Sequence, residues 1–238
     1  MRKLKAIINF IVIIIFLLSA YKLIEKHISN KKANEVYSEL QEIKENLTEN
    51  NEESLEEEVL DLSYINEDYR GWITIENTNI DYPILQGEDN DYYLSRDINK
   101  EYLKSGSIFL DYRNNNFDDK NTVIYGHSMR NGTMFGQLKY FKESGALDEN
   151  KYIYILSPEG KTLKYEIFSV YTSDINDNYI ETSFNSDEEY KEFLDKICEK
   201  SLFPVNIDIS TEDKILTLST CSYEYENART VIHGKLIE

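Results

Sequence analysis

The sequence is short of positive charge, cysteine and histidine. Its 238 residues carry 26 Lys and Arg against 44 Asp and Glu, which gives a formal net charge of −18 at pH 7. Phosphate binding needs clustered cations, so this balance argues against a nucleic-acid partner. The two cysteines allow at most one disulfide bond, and the three histidines leave few choices for a catalytic base. Without internal repeats or low-complexity tracts, a chain of this length is expected to form one domain with extensions.

One long apolar run lies near the N-terminus. Residues 4–24 would span roughly 30 Å as a helix, at about 1.5 Å per residue, which is enough to cross a bilayer. Lysines flank both ends of the run, so the charges do not decide its orientation. A cleaved signal peptide and a buried core helix are the alternatives, but no good A-x-A cleavage pattern is present. We predict a membrane anchor at 6–24, preceded by a short cytoplasmic tail at 1–5.

Residues 25–70 are predicted to form a helical stalk or brace. Apolar side chains recur there at i, i+4, i+7 and i+11, the stripe of an amphipathic helix. These residues are Val36, Leu40, Ile43 and Leu47. Further on, Ser54 followed by Glu57 forms a capping-box pattern that predicts a second helix, with the acidic run at 52–58 as its solvated face.

From Gly71 the pattern changes to short β-branched and apolar runs separated by polar connections. Eight such runs occur, at 72–75, 80–85, 107–111, 122–126, 151–156, 162–171, 214–220 and 229–237. Many short strands with few helices indicate a mainly β domain over 71–238, either a closed barrel or a sandwich. A capping box of Ser186 and Glu189 predicts one helix at 186–200, between the sixth and seventh strands.

Three residues in this domain could support nucleophilic catalysis. Cys221 ends one predicted strand and Arg229 begins the next, so the two could face each other across a turn. His127 directly follows a strand and a glycine, a common position for reactive groups. A cysteine thiolate attacks a carbonyl, a histidine moves the proton, and an arginine can stabilise the oxyanion or orient the substrate.

The remaining cysteine and His233 fit structural roles, while His27 lies next to the predicted membrane segment. Cys198 borders the apolar stripe of the predicted 186–200 helix, where packing is favoured over a disulfide bond to Cys221. His233 alternates with Val231 along a strand and is interpreted as a strand-face residue.

Several stretches resemble one family. The segment TLSTC matches the sortase signature T-L-x-T-C, NTVIYGH resembles the strand and histidine of that family, and ARTVIHGKL resembles its arginine-bearing strand. The segments GSIFLDYRN and GHSMRNGTMFGQL are similar to class B sortases, which are membrane-anchored cysteine transpeptidases of Gram-positive bacteria. The resemblance covers roughly Gly71 to the C-terminus.

The resemblance implies a closed eight-stranded barrel with N-terminal helices and one long helix inserted between strands 6 and 7. It implies cleavage of a C-terminal sorting signal (Pro-x-Thr-Gly or Pro-x-Thr-Asn like) after Thr. The acyl group would then pass, through a thioester on Cys221, to an amine of cell-wall peptidoglycan. His127 would be the acid and base, and Arg229 would stabilise the oxyanion or hold the signal. The implied enzyme is a single-pass protein of the cell membrane, in contact with lipid through its N-terminal helix, with its catalytic domain outside.

The same resemblance implies a signal-binding pocket, although each of its residues could equally be barrel packing. The candidates are Asn90, Leu94, Tyr125, Ser219, Tyr179 and Ile180. Two residues after the cysteine, where some class B members are acidic, this chain has Tyr223. No cofactor and no metal are predicted, because Asp111, Asp118 and Asp119 do not fit a calcium-loop pattern and suit a solvated turn better.

Two other functions remain open at this point. A hydrolytic cysteine peptidase would use the same residues and release the acyl group to water. A non-catalytic surface-binding module would merely share the barrel.

Overall fold

The computed structural model describes residues 2–51, 60–149 and 151–238. Within these residues, eight strands close into a barrel in the order β1-β2-β3-β4-β7-β8-β6-β5. The strands are β1 (Tyr69–Thr74), β2 (Asp81–Leu85), β3 (Ile108–Leu110), β4 (Asn121–Tyr125), β5 (Tyr152–Leu156), β6 (Thr162–Asp174), β7 (Ile215–Cys221) and β8 (Ala228–Leu236). The closed barrel is therefore confirmed, and the sandwich alternative is wrong.

The strand pairing decides which loops meet at each end of the barrel. The pairs β2–β3 and β4–β7 are parallel, and the other neighbours are antiparallel. A parallel pair brings the carboxyl ends of two strands to the same end of the barrel. Strands β4 and β7 therefore end side by side, with Tyr125 in register with Ser219.

Three α-helices accompany the barrel in the described residues: α1 (Arg2–Asn51), α2 (Ala146–Glu149) and α3 (Asp187–Glu199). Two 3₁₀ segments, Tyr92–Ser95 and Phe135–Lys142, lie in the loops after β2 and β4. Helix α3 is the predicted insertion between the sixth and seventh strands. The Ser186 Oγ atom accepts a hydrogen bond from the Glu189 N–H at 3.2 Å, so the capping residue is the one expected from the sequence.

Helix α1 continues from the apolar run into the amphipathic stripe and packs against the barrel. Tyr37 and Leu40 are buried in the barrel's main hydrophobic cluster. The Gln41 side chain donates to the carbonyl of Asp81 at 2.8 Å, and the Lys44 ammonium pairs with the Asp81 carboxylate at 2.5 Å. The second helix predicted from Ser54 falls outside the described residues.

A second hydrophobic cluster lies between α3 and the outer face of the barrel. It contains Tyr190, Phe193, Leu194 and Ile197 from the helix, and Cys198 packs at its border. Both cysteines of the chain fall within the described residues and carry free thiols. Burial raises the pKa of the Cys198 thiol, which suits a packed rather than a reactive side chain.

Candidate active site

Cys221 and Arg229 lie directly opposite each other on neighbouring strands. Cys221 is the last residue of β7, Arg229 is the second residue of β8, and the antiparallel register pairs them. Paired residues of an antiparallel ladder present their side chains on the same face. The thiol and the guanidinium therefore share one face at the end of the barrel, and both residues are half-buried.

His127 reaches the same end from the neighbouring parallel strand. It follows Tyr125 by two positions, as Cys221 follows Ser219, and Tyr125 is in register with Ser219. The Thr220 hydroxyl donates to the carbonyl of Gly126 at 2.7 Å, which holds the two strand ends together just before the histidine. A Cβ at Gly126 would lie 2.4 Å from Ile108 Cδ1 and 2.9 Å from the Phe135 ring, so a larger residue there would require these buried side chains to shift.

The His127 imidazole is held by a backbone carbonyl. Its Nε2 atom lies 2.8 Å from the carbonyl oxygen of Leu94, in the 3₁₀ segment Tyr92–Ser95. The thiol of Cys221 makes no hydrogen bond to any described residue. The structure thus orients the imidazole through Leu94 rather than through an acidic side chain or the cysteine.

Tyr179 and Ser219 form a second part of the site. Both are buried, and their hydroxyls lie 3.0 Å apart. Burial raises the pKa of the Tyr179 phenol, while its hydrogen bond to Ser219 and the nearby charge of Arg229 oppose the rise. These two predicted pocket residues therefore lie beside the arginine.

Two other predicted pocket residues, Asn90 and Tyr125, meet at one buried carboxylate, Asp111, and a third, Ile180, is linked to it through Arg113. Its Oδ2 atom accepts hydrogen bonds from the Asn90 amide at 3.1 Å and from the Tyr125 hydroxyl at 2.8 Å. Arg113 donates to both carboxylate oxygens, at 2.9 and 2.8 Å, and also donates to the carbonyl of Ile180 at 2.8 Å. Asp111 and Arg113 thus join the loops that carry Asn90, Tyr125 and Ile180.

The hydrogen bonds keep Asp111 ionised despite its burial. Burial raises the pKa of this carboxyl, but the donors on Arg113 and Tyr125 outweigh burial and hold the pKa below its usual value. The sequence hypothesis considered Asp111 only as a metal donor. The one hint in the sequence was Arg113, two residues later, because an arginine can donate two hydrogen bonds to one carboxylate. Its further contact with the carbonyl of Ile180 is seen only in the folded structure.

A polar cluster on the other side of Cys221 was also missed. Lys142, at the end of the Phe135–Lys142 segment, contacts the hydroxyls of Thr172 and Ser222 and pairs with the carboxylate of Glu224. The lysine and the Ser222 hydroxyl hold the pKa of Glu224 at about 2, although burial opposes them. This acidic residue lies three positions after the cysteine and holds the loop between β7 and β8, with no hydrogen bond to His127.

Comparison with known proteins decides the family. Residues 73–237 match the family model described as the sortase domain. The sortase B of Listeria monocytogenes is 39% identical over 237 residues, covering 97% of this chain and 95% of that protein. The chain belongs to the class B sortases.

Solved structures of other class B sortases agree with the fold of this sortase. The X-ray structure of Clostridium perfringens sortase B has a TM-score of 0.72 and 49% identity, covering 74% of this chain and 98% of that chain. A Staphylococcus aureus sortase B–substrate complex has a TM-score of 0.80 and 32% identity, covering 89% of this chain and 99% of that chain. Sortases are cysteine transpeptidases, so this sortase is an enzyme and the binding-module hypothesis is set aside.

Proposed function

We propose that this sortase cleaves a C-terminal sorting signal of the Pro-x-Thr-Gly or Pro-x-Thr-Asn type after Thr. The acyl group is held as a thioester on Cys221 and transferred to an amine of cell-wall peptidoglycan. The observation that carries the proposal is the strand register: Cys221 opposes Arg229, and His127 extends from the adjacent parallel strand at the same end.

Acylation begins with attack by the Cys221 thiolate on the carbonyl carbon of the signal's threonine. The peptide C–N bond then breaks, and the leaving amine takes a proton from His127. Because the Leu94 carbonyl can only accept a hydrogen bond, Nε2 carries a proton and Nδ1 is the atom that exchanges protons with the reactants.

Arg229 stabilises the oxyanion of each tetrahedral intermediate or orients the signal. Its guanidinium is permanently charged, and it donates to the carbonyl of Ala228 at 3.0 Å through Nη1. The remaining N–H groups are available to a substrate oxygen. The signal itself binds along Asn90, Leu94, Tyr125, Ser219, Tyr179 and Ile180, which surround the strand ends.

The N-terminal helix anchors the enzyme in the membrane. Among the described residues, α1 is the helix that is long and apolar enough to span a bilayer, and its large side chains from Ile7 to Ile28 are exposed. Residues 6–24 cross the membrane in contact with lipid, and 1–5 stay in the cytoplasm. Residues 25–70 brace the catalytic domain, residues 71–238, outside the cell.

Mass spectrometry of the full chain in lipid nanodiscs tests this function. The chain is mixed with a signal peptide, with and without triglycine as the amine acceptor. We expect a peptide adduct on Cys221, and a new amide product only when triglycine is present. Cys198→Ala should retain the adduct and Cys221→Ala should lose it. Cleavage at the same rate with no amide product would favour the hydrolytic peptidase, and no adduct would refute the proposal.

A further inference from the structure

A cavity of about 620 Å³ opens beside Cys221. Its walls are the loop that follows His127, the 3₁₀ segment Phe135–Lys142 and the loop that follows the cysteine. Three cations line it, namely Arg130, Lys139 and Lys142, against one carboxylate, Glu224.

Two of these cations are not neutralised by a carboxylate. The third cation, Lys142, already forms an ion pair with Glu224, and its side chain is only 14% exposed. Arg130 is exposed and pairs with no described carboxylate, and Lys139 is exposed with its ammonium 4.9 Å from the Tyr140 ring centre. A positive surface next to the nucleophile is unexpected in a chain of net charge −18.

The cavity is separate from the proposed signal pocket. None of the six signal-pocket residues lines it, and the two regions meet at Cys221. Ser219 and Tyr179 are hydrogen-bonded to each other, whereas Ser222 and Glu224 are bonded to Lys142 in the wall of the cavity. A thioester on Cys221 with its acyl chain in the signal pocket would leave this cavity open to a second reactant.

We propose that this cavity binds the acceptor, a peptide that carries both a free amine and a carboxylate, with Arg130 and Lys139 holding the carboxylate. The inference rests on the proposed transpeptidase function and identifies where its second substrate binds. Cations pair with carboxylates, and peptidoglycan peptides carry both groups. The same positive charges disfavour the protonated form of the acceptor's amine. They therefore favour the neutral amine, which is the form that attacks the thioester.

The transfer step follows from this arrangement. The amine nitrogen bonds to the thioester carbonyl carbon, the C–S bond breaks, and the electron pair returns to the Cys221 sulfur. The proton lost by the nitrogen passes to His127, which restores the enzyme.

Acceptor selectivity tests the proposal. The full chain is supplied with a signal peptide and with either triglycine or triglycine amide, which differ only in the terminal carboxylate. We expect the wild type to favour triglycine, and the ratio of kcat/KM for the two acceptors to fall about tenfold in Arg130→Glu with Lys139→Glu. The charge-preserving pair Arg130→Lys with Lys139→Arg should keep the ratio. Lys161→Glu changes the charge of an exposed lysine outside this cavity and serves as the control.

Both acceptors are compared in the same preparation of each variant. A slower acylation step therefore affects the values for both acceptors alike and leaves their ratio unchanged. An unchanged ratio in the double-glutamate variant would overturn the acceptor pocket, as would an equal fall in the Lys161→Glu control. A changed KM for the signal peptide with an unchanged ratio would overturn it too, because the cations would then bind the first substrate. If the wild type forms no thioester at all, the proposed function itself fails and the acceptor pocket falls with it.

Discussion

The Nε2 atom of His127 lies 2.8 Å from the carbonyl oxygen of Leu94. The partner is a backbone group, so the orientation of the imidazole depends on where the 3₁₀ segment Tyr92–Ser95 sits and not on any side chain at position 94. Whatever holds this segment in place therefore also holds the candidate base. Two residues outside the active site lie next to it in this way: Gly106 packs closely against the carbonyls of Tyr93 and Leu94, and the Tyr37 hydroxyl is hydrogen-bonded to Gly106.

Gly106→Ala is expected to lower both stability and activity. Gly106 has φ +57°, and a Cβ there would lie 2.6 Å from the Leu94 carbonyl oxygen and 2.5 Å from that of Tyr93. The positive φ alone costs about 1 kcal/mol for a non-glycine residue, and the clash pushes away the carbonyl that holds His127. We expect a lower Tm and a fall in kcat of about tenfold or more. Gly132→Ala is the control, because Gly132 has φ +81° but its Cβ would come no closer than 3.8 Å to its neighbours. Equal effects on kcat would contradict the role of the Leu94 carbonyl.

Tyr37→Phe, a substitution in helix α1 and outside the active site, is expected to slow catalysis. The buried Tyr37 hydroxyl donates to the carbonyl of Gly106 at 2.6 Å. Its loss leaves a buried carbonyl without that donor and costs about 1 kcal/mol, and we expect kcat to fall several-fold because Gly106 packs on Leu94. Gln41→Ala breaks another α1–barrel hydrogen bond, the one to Asp81 at 2.8 Å, without touching Gly106. Matching losses of kcat in both variants would indicate that general docking of α1, and not the path through Gly106, supports the site.

Asp111→Asn is expected to raise KM for the signal peptide more than it lowers kcat. The change keeps the shape of the side chain but leaves the Arg113 guanidinium without its charge partner, at a cost of about 3 kcal/mol in the free energy of unfolding. The loops that carry Asn90, Tyr125 and Ile180 lose their common anchor, while the strand ends with Cys221 and Arg229 stay in place. Steady-state kinetics and denaturant unfolding measure the two effects.

Asp118→Asn is the matched control for that variant. Asp118 lies in the same Asn-rich segment, but its side chain is 77% exposed and pairs with Lys214 on the surface. Exposed pairs of this kind contribute about 0–1 kcal/mol. An equal rise of KM for the signal peptide in both variants would contradict the proposal that Asp111 holds the loops of the signal pocket together.

The buried His233 is expected to make the free energy of unfolding decrease as the pH falls below 6.5. It is fully buried between Tyr171 and Thr217, with each ring nitrogen 2.9 Å from a hydroxyl. Burial lowers its pKa to about 3 from 6.5. Between these two values the unfolded chain binds a proton that the folded chain does not, so this contribution is complete above pH 6.5 and is lost as the pH falls. The loss is about 1.4 kcal/mol per pH unit, or about 2 kcal/mol from pH 6.5 to 5.

Denaturant unfolding at several pH values checks this expectation against His233→Gln. The variant is expected to be less stable at neutral pH, yet to lose less stability between pH 6.5 and 5 than the wild type. Parallel pH dependences in the two proteins would show that other groups are responsible.

Much of the fold could be predicted because its signals are local. Each strand lies within three residues at either end of its predicted run, since a short run of β-branched and apolar residues is a property of the strand itself. The Ser186 cap was predictable for the same reason, because the cap and its partner are three residues apart. The proposed catalytic residues stood out because each lies at the end of a recognisable strand.

The partners of those residues could not be predicted in the same way. Leu94 is 33 positions from His127, Tyr37 is 69 from Gly106, and Arg113 is 67 from Ile180. Contacts over such separations depend on barrel closure and on the register of strands that are distant in the chain. The sequence also left open whether the apolar run and the amphipathic stripe form one helix, and the structure shows them as a single helix from Arg2 to Asn51.

The sequence by itself therefore determined the eight strands, the inserted helix and the three side chains proposed for the chemistry, because local periodicity and short motifs encode them. Only the tertiary structure decided what orients His127, that Asp111 links the loops of the proposed signal pocket, and where a cation-lined cavity opens beside Cys221. These features arise where distant segments pack together, and no short stretch of sequence contains them.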